Sequence, residues 1–180
     1  MWNLNKFKNN IAVITENNEH ITYEKLNNYC IELTSNIKKR CLVFNLCANE
    51  IGSLVGYIGF LNAKIVPVML KADLDEILLT NMIETYKPAY LHLPSILADK
   101  FDKFEKVYSN IGYTLLKTNF IEEFELNEDL ALLLTTSGST GSPKLVRQSY
   151  KNIEANTKSI VEYLQLNETE RAITTLPMNY

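Results

Sequence analysis

The chain has 180 residues, 46% of them hydrophobic and 22% charged, a globular composition with enough apolar side chains for a substantial core. Its net charge of −3, with Lys and Arg scattered rather than clustered, argues against a nucleic-acid partner. Cys30, Cys41 and Cys47 lack C-x-x-C spacing and read as reduced thiols of a cytoplasmic protein, not as a disulfide framework or metal site.

The opening residues, Met1 to Asn10, have no apolar run behind their charges and so no signal-peptide character. Ile11 to Thr15 and His20 to Thr22 flank the polar Glu16-Asn17-Asn18-Glu19 and predict a β-hairpin. Thr22 can cap a helix with the apolar face Leu26, Tyr29, Cys30, Leu33 and Ile37, which Lys38-Lys39-Arg40 would close at its carbonyl end. Cys41 to Leu46 is a short β-rich run, and Ala48 or Asn49 opens the next helix.

On that helix Ile51, Leu54, Val55, Ile58 and Leu61 form an apolar face. Gly52, Gly56 and Gly59 share a face as well, which points to backbone packed closely on a sheet. The stretch Ile51 to Leu70 holds one charge, Lys64, but its uninterrupted part ends at Ala63. That is shorter than the ~17–25 residues a membrane span needs, and Pro67 then breaks any helix. Ile65 to Leu70 is the next strand, Asp73 caps a helix running through Leu74, Ile77, Leu78, Met82 and Ile83, and Ala89 to Leu93 is strand again. This alternation predicts an α/β fold of layered βαβ units, with a mostly parallel sheet and helices on both faces.

Between Pro94 and Asn127 the pattern weakens. Val107 to Tyr108 and Tyr113 to Lys117 are candidate strands, and Glu122, Glu123, Glu125, Glu128 and Asp129 read as a solvated acidic connector without metal-ligand spacing. His20 and His92 read as ordinary surface or core residues, since nothing in the sequence orients either as a catalytic group. Neither an internal repeat nor a Pro/Gly linker divides the chain.

Leu130 to Leu134 is a continuous apolar run, as expected of a central strand buried on both faces. It enters Thr135-Thr136-Ser137-Gly138-Ser139-Thr140-Gly141-Ser142-Pro143-Lys144, after which Leu145 to Ser149 forms another strand and Ser149 can cap a helix from Tyr150. The two glycines let backbone N–H groups turn toward an anion. Hydroxyls at Thr135, Thr136, Ser137, Ser139 and Thr140 can donate to phosphate oxygens, and Lys144 adds a point charge. A flexible Ser/Gly linker has similar composition, but this loop is short and pinned between apolar strands. It also does not fit the Walker pattern, because Pro143 stands where the second glycine is required.

The segment Thr136 to Lys144 resembles the phosphate-loop signature of the AMP-forming acyl ligases, which include acyl-CoA synthetases, luciferases and the adenylation domains of peptide synthetases. Ile21-Thr22-Tyr23-Glu24-Lys25-Leu26 is similar to the family's early T-Y-x-E-L segment. Asn49-Glu50 and Phe60 to Val68 are similar to its N-x-x-E … L-x-A-G-x-x-x-V-P stretch. Leu176-Pro177-Met178-Asn179-Tyr180 looks like the start of the segment that borders the acyl pocket. Two departures mark a divergent branch: Lys64 replaces a usual glycine, and Leu145 replaces the glycine after the loop lysine.

The resemblance implies that residues 1–180 are a single partial domain, the amino-terminal portion of a ligase large domain. The expected reaction joins a carboxylic acid to ATP as an acyl-adenylate with release of pyrophosphate, followed by transfer to a thiol of CoA or a carrier protein. It further implies ATP and Mg²⁺ as cofactors, Thr136, Ser137, Gly138, Ser139, Thr140, Gly141 and Lys144 as nucleotide-binding residues, and Lys144 as catalytic. The adenine-, ribose- and Mg²⁺-binding segments and the carboxy-terminal lysine fall outside these residues, so the 180 residues alone are expected to be inactive. Two other readings stay open at this point: a non-catalytic assembly module of the same fold, and an unrelated phosphotransferase with a similar loop.

Overall fold

The computed structural model describes residues 1–120, 125–135 and 144–179. Near the amino terminus, β1 (Ile11–Ile14) and β2 (His20–Thr22) pair antiparallel as the expected hairpin. Thr22 then caps α1 (Tyr23–Thr34), its side-chain oxygen accepting from the Lys25 N–H at 3.2 Å.

The helix ends earlier than the basic run Lys38-Lys39-Arg40. Thr34 donates its hydroxyl to the Cys30 carbonyl, and Ser35 and the Asn36 amide both donate to that of Glu32. These short polar side chains occupy the last carbonyls and stop the ladder. Arg40 works elsewhere, donating to the carbonyls of Lys64, Asn127 and Leu130.

The main sheet is built from β3 (Leu42–Cys47), β4 (Val66–Lys71), β5 (Tyr90–Pro94), β6 (Glu105–Asn110), β7 (Tyr113–Lys117), β8 (Leu130–Thr135) and β9 (Leu145–Ser149). Its order is β6-β7-β5-β3-β4-β8-β9. The four central strands β5, β3, β4 and β8 run parallel, whereas β7 pairs antiparallel with β5, β6 antiparallel with β7, and β9 antiparallel with β8. The sheet is therefore mixed, with a parallel centre supplied by the βαβ units and antiparallel edges supplied by hairpin connections.

Strand alternation sends side chains to two cores. On one face Leu42, Phe44, Leu46, Val66, Val68 and Leu70 pack against Leu79, Met82 and Ile83 of α3 (Glu76–Tyr86). On the other, Cys41, Val43 and Leu115 pack against Leu26, Cys30 and Leu33 of α1 and Val55 and Phe60 of α2 (Ile51–Asn62). The residue that caps α3 is Asp75, whose carboxylate accepts from the Leu78 N–H at 3.0 Å. Asp73 lies instead in the turn closed by the Leu74 N–H and the Lys71 carbonyl.

The glycines of α2 do meet the sheet, though not all of them. A Cβ on Gly52 would enter the Tyr113 ring, and one on Gly56 would lie 2.7 Å from both Asn45 Oδ1 and His92 Nδ1. Gly59 faces the Cys30 backbone of α1. Lys64 follows α2 in a left-handed conformation, with φ of +57°.

Finally, Ser149 caps α4 (Tyr150–Tyr163) by accepting from the Asn152 N–H at 3.1 Å. None of the helix's residues is fully buried; Tyr150 and Ile153 rest against Leu61, Ala131 and Leu132. Among the described residues no helix is long and apolar enough to cross a membrane. All three cysteines are buried and unbridged.

Candidate active site at the carboxyl edge of the parallel strands

Because β5, β3, β4 and β8 point the same way, their carboxyl ends meet along one edge of the sheet, the usual place for a ligand in an open α/β fold. Register keeps these ends level: Cys47 pairs with Lys71, and Met69 with Leu134. Thr135, the last residue of β8, is therefore close to the end of β4.

The ladder between β8 and β9 supplies the second constraint. Thr135 pairs with Leu145, Leu134 with Val146 and Leu133 with Arg147. The segment between Thr135 and Leu145 must leave and re-enter the sheet at one point on its carboxyl edge. Lys144, exposed, is held beside that point by its neighbour Leu145, which is half-buried against the core on the α3 face. Leu145 thus anchors the start of β9 against the core. Thr136, Ser137, Gly138, Ser139, Thr140 and Gly141 lie outside the described residues, so of the expected nucleotide-binding set only Lys144 is placed.

At the end of β3 a buried polar network shapes the turn into α2. The Tyr113 hydroxyl donates to the Leu46 carbonyl at 3.2 Å and accepts from the Ala48 N–H at 3.0 Å. Ser53 Oγ lies 2.6 Å from that hydroxyl and donates to the Ala48 carbonyl at 2.6 Å. Burial, the largest influence, pushes the Tyr113 phenol up to about 12, so it stays a neutral structural donor.

His92 lies beneath this network, fully buried, with Nδ1 2.7 Å from Asn45 Oδ1. It stands edge-on to Phe60 at 5.5 Å between ring centroids and 4.9 Å from Tyr113. Burial lowers its pKa to about 3, so the imidazole is neutral and Nδ1 must donate to the Asn45 carbonyl oxygen. The sequence shows no partner for His92; the fold supplies one in Asn45, and the histidine is a core residue. The exposed His20 sits on the hairpin. Among the described residues no three His, Cys, Asp or Glu side chains converge to hold a metal ion.

A family model described as "AMP-binding enzyme" matches residues 1–180. The chain belongs to the AMP-binding enzyme family.

Solved structures agree on the fold of this family member. The O-succinylbenzoate coenzyme A synthetase MenE of Bacillus subtilis, in complex with AMP, is similar with a TM-score of 0.69 and 20% identity. That match covers 94% of this chain and 46% of the synthetase. A MenE structure with ATP and magnesium ion matches at 0.71 and 18% identity, over 97% of this chain and 49% of that one. ATP-bound MatB of Rhodopseudomonas palustris matches at 0.73 and 19% identity, over 94% of this chain and 38% of MatB. The chain thus spans less than half the length of these structures and carries the fold of an acyl-adenylate-forming ligase.

Proposed function

We propose that this chain supplies the pyrophosphate end of the active site of an AMP-forming acid ligase. One observation carries the reading: a hydroxyl- and glycine-rich segment starts and ends at a paired point, Thr135 and Leu145, on the carboxyl edge of a parallel sheet. Family membership over all 180 residues supports it.

In the proposed reaction a carboxylate oxygen of the acid attacks the α-phosphorus of ATP. The bond from that phosphorus to the α,β-bridging oxygen breaks, and its electron pair leaves with pyrophosphate. Backbone N–H groups around Gly138 and Gly141 and the hydroxyls of Thr136, Ser137, Ser139 and Thr140 would hold the β- and γ-phosphates. Lys144 would neutralise charge that grows on the leaving group. ATP would enter with Mg²⁺, which would supply further positive charge at the phosphates. Transfer of the acyl group to a thiol of CoA or phosphopantetheine belongs to the same proposal, as does a reducing, cytosolic setting, which the three unbridged cysteines support.

The test is acid-dependent exchange of labelled pyrophosphate into ATP, measured on the full-length protein that carries these residues. Exchange that requires a carboxylic acid and falls in Lys144→Ala supports the proposal. Exchange in Lys144→Ala equal to wild type removes Lys144 from its role. The 180 residues alone are expected to give no hydroxamate-trappable adenylate.

A further inference from the structure

We propose that Asn49 is a positioning residue that holds the acyl-pocket segment against the carboxyl edge of the sheet. This proposal rests on the ligase reading above. Asn49 follows β3 and precedes α2, where a helix cap would be expected, yet its side chain is engaged far along the chain. Its Nδ2 donates to the Leu176 carbonyl at 3.2 Å, and its Oδ1 accepts from the Met178 N–H at 3.1 Å. One planar amide therefore pairs with the C=O of one residue and the N–H two residues on. Together the two bonds fix both the position and the direction of that backbone.

The clamp sits where the chain turns inward. Ile173 and Leu176 are largely exposed, whereas Asn179 is only 4% exposed. Asn179 Oδ1 has no hydrogen-bond partner among the described residues. A buried acceptor left unpaired costs about 1–3 kcal/mol, so the segment brings an unsatisfied polar group into a covered position beside the proposed site. Asn49 fixes the backbone that leads to it. Local needs at this turn are met without the Asn49 amide, since Ser53 Oγ serves Ala48 and the Glu50 N–H reaches the Ala48 carbonyl.

Asn62 gives an internal control. At the other end of α2 its amide makes the same kind of pair with one residue, accepting from the Trp2 N–H at 2.9 Å and donating to the Trp2 carbonyl at 3.1 Å. Loss of either clamp removes comparable bonds, but only Asn49 touches the acyl segment.

The experiment compares wild type, Asn49→Ala, Asn49→Asp and Asn62→Ala in the full-length protein. It reads acid-dependent pyrophosphate exchange and amide hydrogen exchange of the peptide spanning residues 173–179. Asn49→Ala is expected to raise KM for the acid about ten-fold, with KM for ATP within two-fold, and to speed exchange in that peptide. Asn49→Asp, which keeps the acceptor for Met178, should fall between it and wild type. Asn62→Ala should alter neither reading. Unchanged exchange at 173–179 in Asn49→Ala, equal rises in both KM values, or the same effect from Asn62→Ala would overturn the proposal. A wild type without acid-dependent exchange instead removes the ligase reading, and the hydrogen-exchange arm still decides whether the clamp exists.

Discussion

Thr135 and Leu145 are partners across β8 and β9, so everything between them enters and leaves the sheet at one point. This pairing turns a flexible-looking composition into a loop with fixed ends, and it keeps Lys144 at the carboxyl edge. Lys144→Ala should therefore lower kcat for adenylation roughly 10²-fold, with a smaller change in KM for ATP, because the charge it meets grows in the transition state. Steady-state pyrophosphate exchange over a range of ATP concentrations measures both. A pure KM effect would mean that Lys144 binds ATP and its transition state alike.

Gly56 lies against the one buried histidine. A methyl group there would meet Asn45 Oδ1 and His92 Nδ1 at 2.7 Å, well inside contact distance. Gly56→Ala should destabilise the fold by about 1–3 kcal/mol through overpacking of a close helix–sheet contact. Urea unfolding followed by circular dichroism reads the change, and an unaltered midpoint would show that α2 can shift away at no cost.

His92 also makes a pH prediction. Burial holds it near 3 in the folded state against 6.5 ordinarily, so between these values the unfolded chain binds a proton that the folded chain does not. The stability contribution is complete above 6.5 and is lost as pH falls toward 3, at ~1.4 kcal/mol per pH unit inside that window. NMR of the His92 ring should show no titration between pH 8 and pH 5. A midpoint near 6.5 would contradict this.

Lys64 holds a left-handed conformation that suits glycine, with φ of +57°. Its carbonyl is tied to Arg40, so the turn is kept whatever side chain it carries. Lys64→Gly should raise stability by roughly 0.5–1 kcal/mol, as relief of the strained backbone exceeds the extra freedom gained by the unfolded chain. A lower unfolding midpoint in this variant would reverse that balance.

The thiols should be inert in the native protein. Burial pushes Cys30 and Cys47 up to about 12, and Cys41 is equally enclosed. At pH 8 an aromatic disulfide reagent should label none of the three until denaturant is added. Fast labelling of any of them without denaturant would show that the core opens locally.

Much of the fold was legible because it depends on local patterns. The hairpin, the caps at Thr22 and Ser149, and the alternation from β3 to β5 follow from turn residues, short polar caps and apolar periodicity. Misreadings arose where polar groups compete for the same backbone. Lys38 to Arg40 looked like a helix end, but Thr34, Ser35 and Asn36 had already taken the carbonyls. Asp73 was expected to cap α3, but it lies in the turn at Lys71 and Asp75 takes the task. At the site, residue types and order alone singled out the loop up to Lys144, whereas the partners of Asn45 and Asn49 could not be read. Each pairs with a residue distant in sequence, and no spacing rule connects them.

The sequence by itself determined the family, the α/β alternation and the residue types of the phosphate loop, since these rest on near neighbours along the chain. Only the tertiary structure decided that Thr135 meets Leu145, that burial keeps His92 neutral with Asn45 as its partner, and that Asn49 reaches Leu176 and Met178. Such contacts depend on strand order and on the level at which parallel strands end. Both are set when the two faces of the sheet bury their side chains together, which no local stretch of sequence encodes.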